Sequence, residues 1–98
     1  MKLYVDDVRI IPEGWDYARN YSEAIVKLLT IEYDEISLDH DIASYDVNGK
    51  EMTGYDIVMW LATRKMLGQG HVPNIIHCHS ANPVGRKNIE SVVNRYLK

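Results

Sequence analysis

The chain carries a single cysteine, Cys78, in 98 residues. It cannot close an internal disulfide, which excludes a disulfide-stapled scaffold and fits a reducing cytoplasm. No apolar run approaches the roughly 18 residues of a membrane-spanning helix. The opening Met1-Lys2-Leu3-Tyr4-Val5-Asp6-Asp7 is too short and turns acidic too soon for a secretory signal. Glycine is sparse, and neither Gly54 nor Gly85 begins a Gly-Lys-Ser/Thr motif, so a phosphate-cradling P-loop is excluded. There is no basic stripe, and the net charge is −3, which argues against specific double-stranded DNA binding. Internal repeats, low-complexity tracts and linkers are missing as well.

What is present is ordinary in bulk and uneven in detail. Hydrophobic residues at 46% and charged residues at 26% are those of a soluble globular protein, and the length suits one domain over residues 1–98. Residues 1–49 carry eleven Asp and Glu against four Lys and Arg; residues 50–98 carry three against seven. Such an asymmetry suits a site holding a cation and an anion together, and equally describes solvated surface.

Periodicity predicts strands alternating with helices. Lys2–Asp6 reads as a strand around Leu3-Tyr4-Val5, Val8–Gly14 as a loop, and Trp15–Arg19 as an edge strand by its alternation. Ser22 and Glu23 open a helix with Ala24, Ile25, Leu28 and Leu29 as its apolar stripe. Glu35–Asp39 reads as a strand and Ile42–Met52 as a polar loop around Asn48-Gly49. That loop is either ordinary surface or a lid, with Tyr45 and Tyr55 flanking it. Thr53 caps a largely apolar helix that Gly68 stops. Asn74–His79 is a last strand, and Asn82 with Pro83 opens a final helix whose stripe is Ile89, Val92, Val93, Tyr96 and Leu97. Strands separated by helices imply parallel pairing with right-handed crossovers.

In an open parallel sheet, ligands bind outside the carboxyl ends of the strands. Three strands end in polar groups: Asp6-Asp7, Asp39-His40-Asp41 and His77-Cys78-His79-Ser80. Asp6, Asp7 and Asp39 held together repel unless a cation intervenes, and a hard divalent ion, Mg²⁺ or Mn²⁺, supplies one. Asp6-Asp7 alone reads as a cap or turn. An EF-hand loop is excluded, because Ala43 and Ser44 stand where another ligand and glycine belong. His40 and His79 sit beside acids and suit general acid or base work. His77 shares the parity of His79 and reads as a satisfied core histidine, His71 as a surface group. Cys78, Trp15 and Trp60 read as core. Ser80-Ala81-Asn82-Pro83-Val84-Gly85-Arg86 leads into a helix whose amino end favours an anion, and Arg86 has the fork for phosphate. Arg86 can equally pair with Glu90. Arg9 either reaches a substrate phosphate or neutralises Asp6 or Asp7.

Leu3-Tyr4-Val5-Asp6-Asp7-Val8-Arg9, Ser37-Leu38-Asp39-His40-Asp41, Thr53-Gly54-Tyr55-Asp56 and His79-Ser80-Ala81-Asn82-Pro83-Val84-Gly85-Arg86 together resemble the cyclic-phosphate-processing receiver-like domain family across nearly the whole chain. The resemblance implies a flavodoxin-like sheet akin to response-regulator receiver domains. In that frame Asp6-Asp7 is similar to the acidic metal pair, Asp39 to the phospho-acceptor and Ser80 to the hydroxyl at the end of the fourth strand. A receiver's fifth strand and its lysine have no counterpart, and the first helix is reduced to a loop. Both departures point away from phosphorylation-dependent switching, and the histidines and Arg86 point instead toward chemistry on a bound phosphate.

The expected fold is α/β: a truncated three-layer flavodoxin- or receiver-like domain with three or four mainly parallel strands in the order 2-1-3-4. The expected function is a metal-dependent phosphoesterase acting on a small cyclic phosphate, nucleotide-derived or at an RNA end. Asp6, Asp7 and Asp39 would hold the cation, and His40 or His79 would transfer protons. Asp41 would orient His40 or support the metal ligands from behind, while Ser80, Asn82 and Arg86 would bind phosphate with Arg9 assisting. The alternative is a non-catalytic degenerate receiver that binds a phosphorylated ligand or a protein partner.

Overall fold

The computed structural model describes residues 1–97. Four strands, β1 (Lys2–Val5), β2 (Asp16–Ala18), β3 (Glu35–Leu38) and, after a small hairpin, β6 (Ile75–Cys78), form one sheet in the order β2-β1-β3-β6. Every pairing in it is parallel. Counting these four core strands alone, the order is the expected 2-1-3-4. The hairpin is β4 (Ser44–Tyr45) with β5 (Glu51–Met52), paired antiparallel. It occupies the stretch read from sequence as a loop, because two-residue strands carry too little pattern to register. The Asp46 side chain, accepting from the Asn48 and Lys50 backbone N–H groups, ties its turn.

The helices are α1 (Tyr21–Thr30), α2 (Gly54–Leu67) and α3 (Pro83–Val92), the last continuing into a π-helical turn over Val93–Leu97. Asn20 caps α1 by accepting from the Glu23 N–H, two residues before the start expected at Ser22. Ala24 and Leu28 are buried, whereas Leu29 of the expected stripe is exposed. Thr53 caps α2 in a capping box with Asp56, and Gly68 closes it in the left-handed conformation, φ 65°. Asn82 accepts from the Val84 and Gly85 N–H groups, with Pro83 as the first residue of α3. Among the described residues no helix is long and apolar enough to cross a membrane.

Parity divides the sheet sharply. Leu3, Ile36 and Ile76 lie side by side in register, as do Val5, Leu38 and Cys78. This face joins Ala24 and Leu28 of α1, Ile57, Val58 and Leu61 of α2 and Ile89 of α3 in one core. Full burial of such a side chain contributes roughly 1.5–3 kcal/mol over leaving it exposed. The opposite face carries Lys2, Tyr4, Tyr17, Glu35, Ser37, Ile75 and His77, none of which belongs to that core. Among the described residues no helix packs on this second face, since the core-facing residues of α1, α2 and α3 all join the first. The loop from Asp7 to Trp15 reaches it, where Trp15 packs edge-on against Tyr4 with centroids 5.6 Å apart.

Candidate functional site

The backbone ladder runs one residue past the ends of the strands. Asp6 N–H donates to Ala18 O at 3.2 Å, Asp39 N–H to Val5 O at 2.9 Å, and His79 N–H to Leu38 O at 3.0 Å. These bonds hold Asp6, Asp39 and His79 in a lateral row at the carboxyl edge of the sheet. By parity all three rise on the helix-free face. A carboxylate oxygen from each aspartate and one ring nitrogen of His79 lie within 4.8 Å of one another. Two anionic oxygens and an imidazole are groups able to hold a metal ion.

Asp6 is fully buried. Its Oδ1 accepts from the Val8 and Arg9 backbone N–H groups at 3.0 and 2.9 Å, and its Oδ2 faces His79 Nε2 at 3.0 Å. Burial alone would raise its pKa, yet these backbone donors and the His79 ring bring it below the ordinary carboxylate value. His79 has both nitrogens engaged, since Nδ1 meets Ser37 Oγ at 2.7 Å. Its ring lies flat on Tyr4, with centroids 4.3 Å apart and planes 10° apart. Burial depresses its pKa against the opposing pull of Asp6 and Asp39. A ring held on both nitrogens and one face positions Asp6; it is poorly placed to hand a proton to a ligand.

Asp39 differs from Asp6. Among the described residues no donor reaches its carboxylate, so its oxygens are open to a ligand. His40 follows Asp39 but lies outside the row, its ring against Gly85 at the start of α3. Its Nδ1 lies 2.9 Å from Asp41 Oδ1, and the Asn82 amide donates to the other Asp41 oxygen at 3.4 Å. Asp41 thus ties the end of β3 to the start of α3, and among the described residues no hydrogen bond engages His40 Nε2. Ser80 is buried, its Oγ accepting from the Asn82 N–H at 3.1 Å. Its role here is to shape the turn into α3.

The remaining expected residues are not part of this row. Asp7 follows the buried aspartate but falls outside the converging group. Arg9 Nε approaches Asp6 Oδ2 at 3.4 Å, the neutralising alternative of its two readings. Arg86 Nε donates to Glu90 Oε1 at 2.9 Å, which raises its pKa, so as placed it serves its own helix. Three participants had no local sequence signal: Ser37, Tyr4 and Arg19, whose Nη1 donates to the carbonyls of Asp6 and Arg9 at 3.2 and 2.8 Å. Ser37 shares the alternation of Asp39, and Tyr4 that of Asp6, so register would have exposed both. His77 corrects the core reading: half-exposed on the helix-free face, it meets Glu35 Oε2 at 2.9 Å.

A family model described as the cyclic-phosphate processing receiver domain matches residues 1–95. The chain belongs to that family. The match takes in every residue of the lateral row and both helix starts that flank it. No curated protein and no solved structure matches the chain. The family's description links this receiver-like fold to the processing of cyclic phosphates. In this member of the cyclic-phosphate processing receiver family, the end of β6 supplies a histidine that clamps the first aspartate.

Proposed function

We propose that the domain is a phosphoesterase that opens a cyclic phosphate with water, using a divalent cation, Mg²⁺ or Mn²⁺. The observation that carries the reading is the meeting of Asp6, Asp39 and His79 donor atoms within 4.8 Å at the carboxyl edge of a parallel sheet. Asp39, with Asp6 beside it, would hold the cation, which when bound polarises a phosphoryl oxygen and offsets the two negative charges. His79 and Ser37 keep the Asp6 carboxylate aimed. His40, oriented by Asp41, is the group for proton transfer, giving a proton to the departing ring oxygen or taking one from the attacking water. The amino end of α3 favours the phosphate charge.

The test is hydrolysis of 2′,3′-cyclic nucleotides, 3′,5′-cyclic nucleotides and RNA ending in a cyclic phosphate, each with Mg²⁺, with Mn²⁺ and with chelator. Metal-dependent release of a phosphomonoester from at least one of them is expected, lost in Asp39→Asn and His40→Ala. Binding without turnover throughout would assign the domain to the non-catalytic alternative.

A further inference from the structure

A sheet face awaiting a helix is apolar, because burying that helix is what stabilises the pair. The helix-free face here is of a different kind. On its β1–β2 half it presents three rings, Trp15, Tyr4 and Tyr17, with Ile75 its lone aliphatic residue, on the far strand. Cations accompany the rings: Lys2 Nζ lies 4.8 Å from the Trp15 ring centre, and the Arg19 guanidinium 5.1 Å from that of Tyr17. Neither Lys2 nor Arg19 has a carboxylate partner among the described residues. The aromatic track is continuous with the site, since Tyr4 carries the His79 ring that clamps Asp6. Trp15, expected in the core, stands instead on this open face.

We infer that the helix-free face of the sheet binds single-stranded RNA, the bases stacking on Tyr17 and Trp15 and the backbone phosphates meeting Lys2 and Arg19. Unpaired bases present flat π surfaces that an aromatic sheet face can take up, and the strand is a polyanion that complements Lys2 and Arg19, whose charges no carboxylate among the described residues neutralises. A duplex hides those base faces and is refused. The inference rests on the proposed reading in one respect: a strand laid along β1 leads its end to Asp6 and Asp39, which makes the substrate a cyclic phosphate at an RNA end rather than a free mononucleotide.

Binding is measured by fluorescence anisotropy with a labelled single-stranded RNA of about twelve nucleotides ending in an ordinary 3′-hydroxyl, so that no hydrolysis enters. Tyr17 is exposed on an edge strand, so Tyr17→Ala can be checked for an unchanged fold by its melting curve. It is expected to weaken binding roughly fivefold to a hundredfold. Lys2→Gln is expected to reduce the slope of log affinity on log salt by about one. A duplex of the same sequence is expected to bind more weakly than the single strand. Equal affinity of wild type and Tyr17→Ala, equal affinity for duplex and single strand, or no binding at all overturns the inference. Hydrolysis is scored separately, on RNA ending in a cyclic phosphate and on cyclic mononucleotides: its absence from all of them refutes the phosphoesterase while leaving the binding result standing.

Discussion

The imidazole of His40 lies so close to Gly85 that a Cβ at that position would stand 2.3 Å from the ring Cγ. Gly85 belongs to the first turn of α3, and its N–H is held by the Asn82 cap. The glycine therefore lets the helix pass directly beside the histidine, and the ring takes its orientation from the helix as well as from Asp41.

Gly85→Ala separates position from stability. Alanine favours a helix over glycine by about 1 kcal/mol, which offsets part of the crowding. The His40 ring is partly exposed and can swing outward. The expected outcome is a melting temperature close to wild type with turnover reduced at least about tenfold, since a positioned acid or base contributes on the order of a hundredfold or more. Thermal melts beside steady-state kinetics check this; unchanged turnover would remove His40 from the chemistry.

Gly54 faces a harder obstacle. A Cβ there would stand 2.0 Å from the Asp39 carbonyl oxygen and 3.2 Å from the His40 Cα, all backbone. The Gly54 N–H also donates to His40 O at 2.9 Å, binding the start of α2 to the end of β3. Nothing flexible can yield. Gly54→Ala should lose about 1–3 kcal/mol or more, outweighing its helix propensity. Urea denaturation reads this directly, and a stabilised variant would mean the two backbones part easily.

The contrast between these glycines shows which parts of the fold were legible before the structure. Thr53, Gly68, Asn82 and Pro83 announce helix ends through local backbone chemistry, and each behaves as expected. Asp6, Asp39 and His79 were legible as strand-end groups, because parallel strands bring such ends to one edge. The clamp on His79 was not, because Ser37 and Tyr4 reach it only through cross-strand register. His77 misled for a related reason: parity says which residues share a face, but not whether a helix covers it. Arg86 was ambiguous between a ligand and Glu90 four residues on, and within the protein alone the local pair forms.

Asp16 and Tyr33 give a stability signal remote from the site. Asp16 accepts from Lys27 at 2.8 Å and from the Tyr33 hydroxyl. Burial would raise its pKa, but these partners and the Tyr17 N–H hold it below the ordinary value of 3.8. A depressed carboxylate adds stability that is complete above its unfolded pKa and is lost as pH falls through its folded one. Tyr33 moves the other way: burial, then Asp16, raise its hydroxyl above 10.0, so stability is lost as pH climbs past 10.0. Asp16→Asn should flatten the acid limb below about pH 4, and Tyr33→Phe the alkaline limb above about pH 10. Chemical denaturation across pH tests both, and unchanged limbs would show that the pair carries no linkage.

Asp6 and Asp39 should part company when each is replaced. Asp6 is buried and its carboxylate satisfies the Val8 and Arg9 backbone donors and the His79 ring, so Asp6→Ala strands all three. A buried donor left unpaired costs about 1–3 kcal/mol, and one kcal/mol is worth roughly 4–8 °C of melting temperature in a domain of this size. A loss of at least about 5 °C is expected. Asp39 carries no such bonds, and its neighbour is another negative charge, so Asp39→Asn should melt at or above the wild-type temperature. The ranking changes when a divalent cation is added. Binding at ten times the dissociation constant stabilises the folded state by about 1.4 kcal/mol, a shift of several degrees. Wild type should show that shift with Mg²⁺ or Mn²⁺, and Asp39→Asn should not. Melting curves of the three proteins with metal and with chelator decide the point. Asp39→Asn unfolding like Asp6→Ala would make Asp39 a structural residue, and an identical metal shift in wild type and Asp39→Asn would place the cation elsewhere.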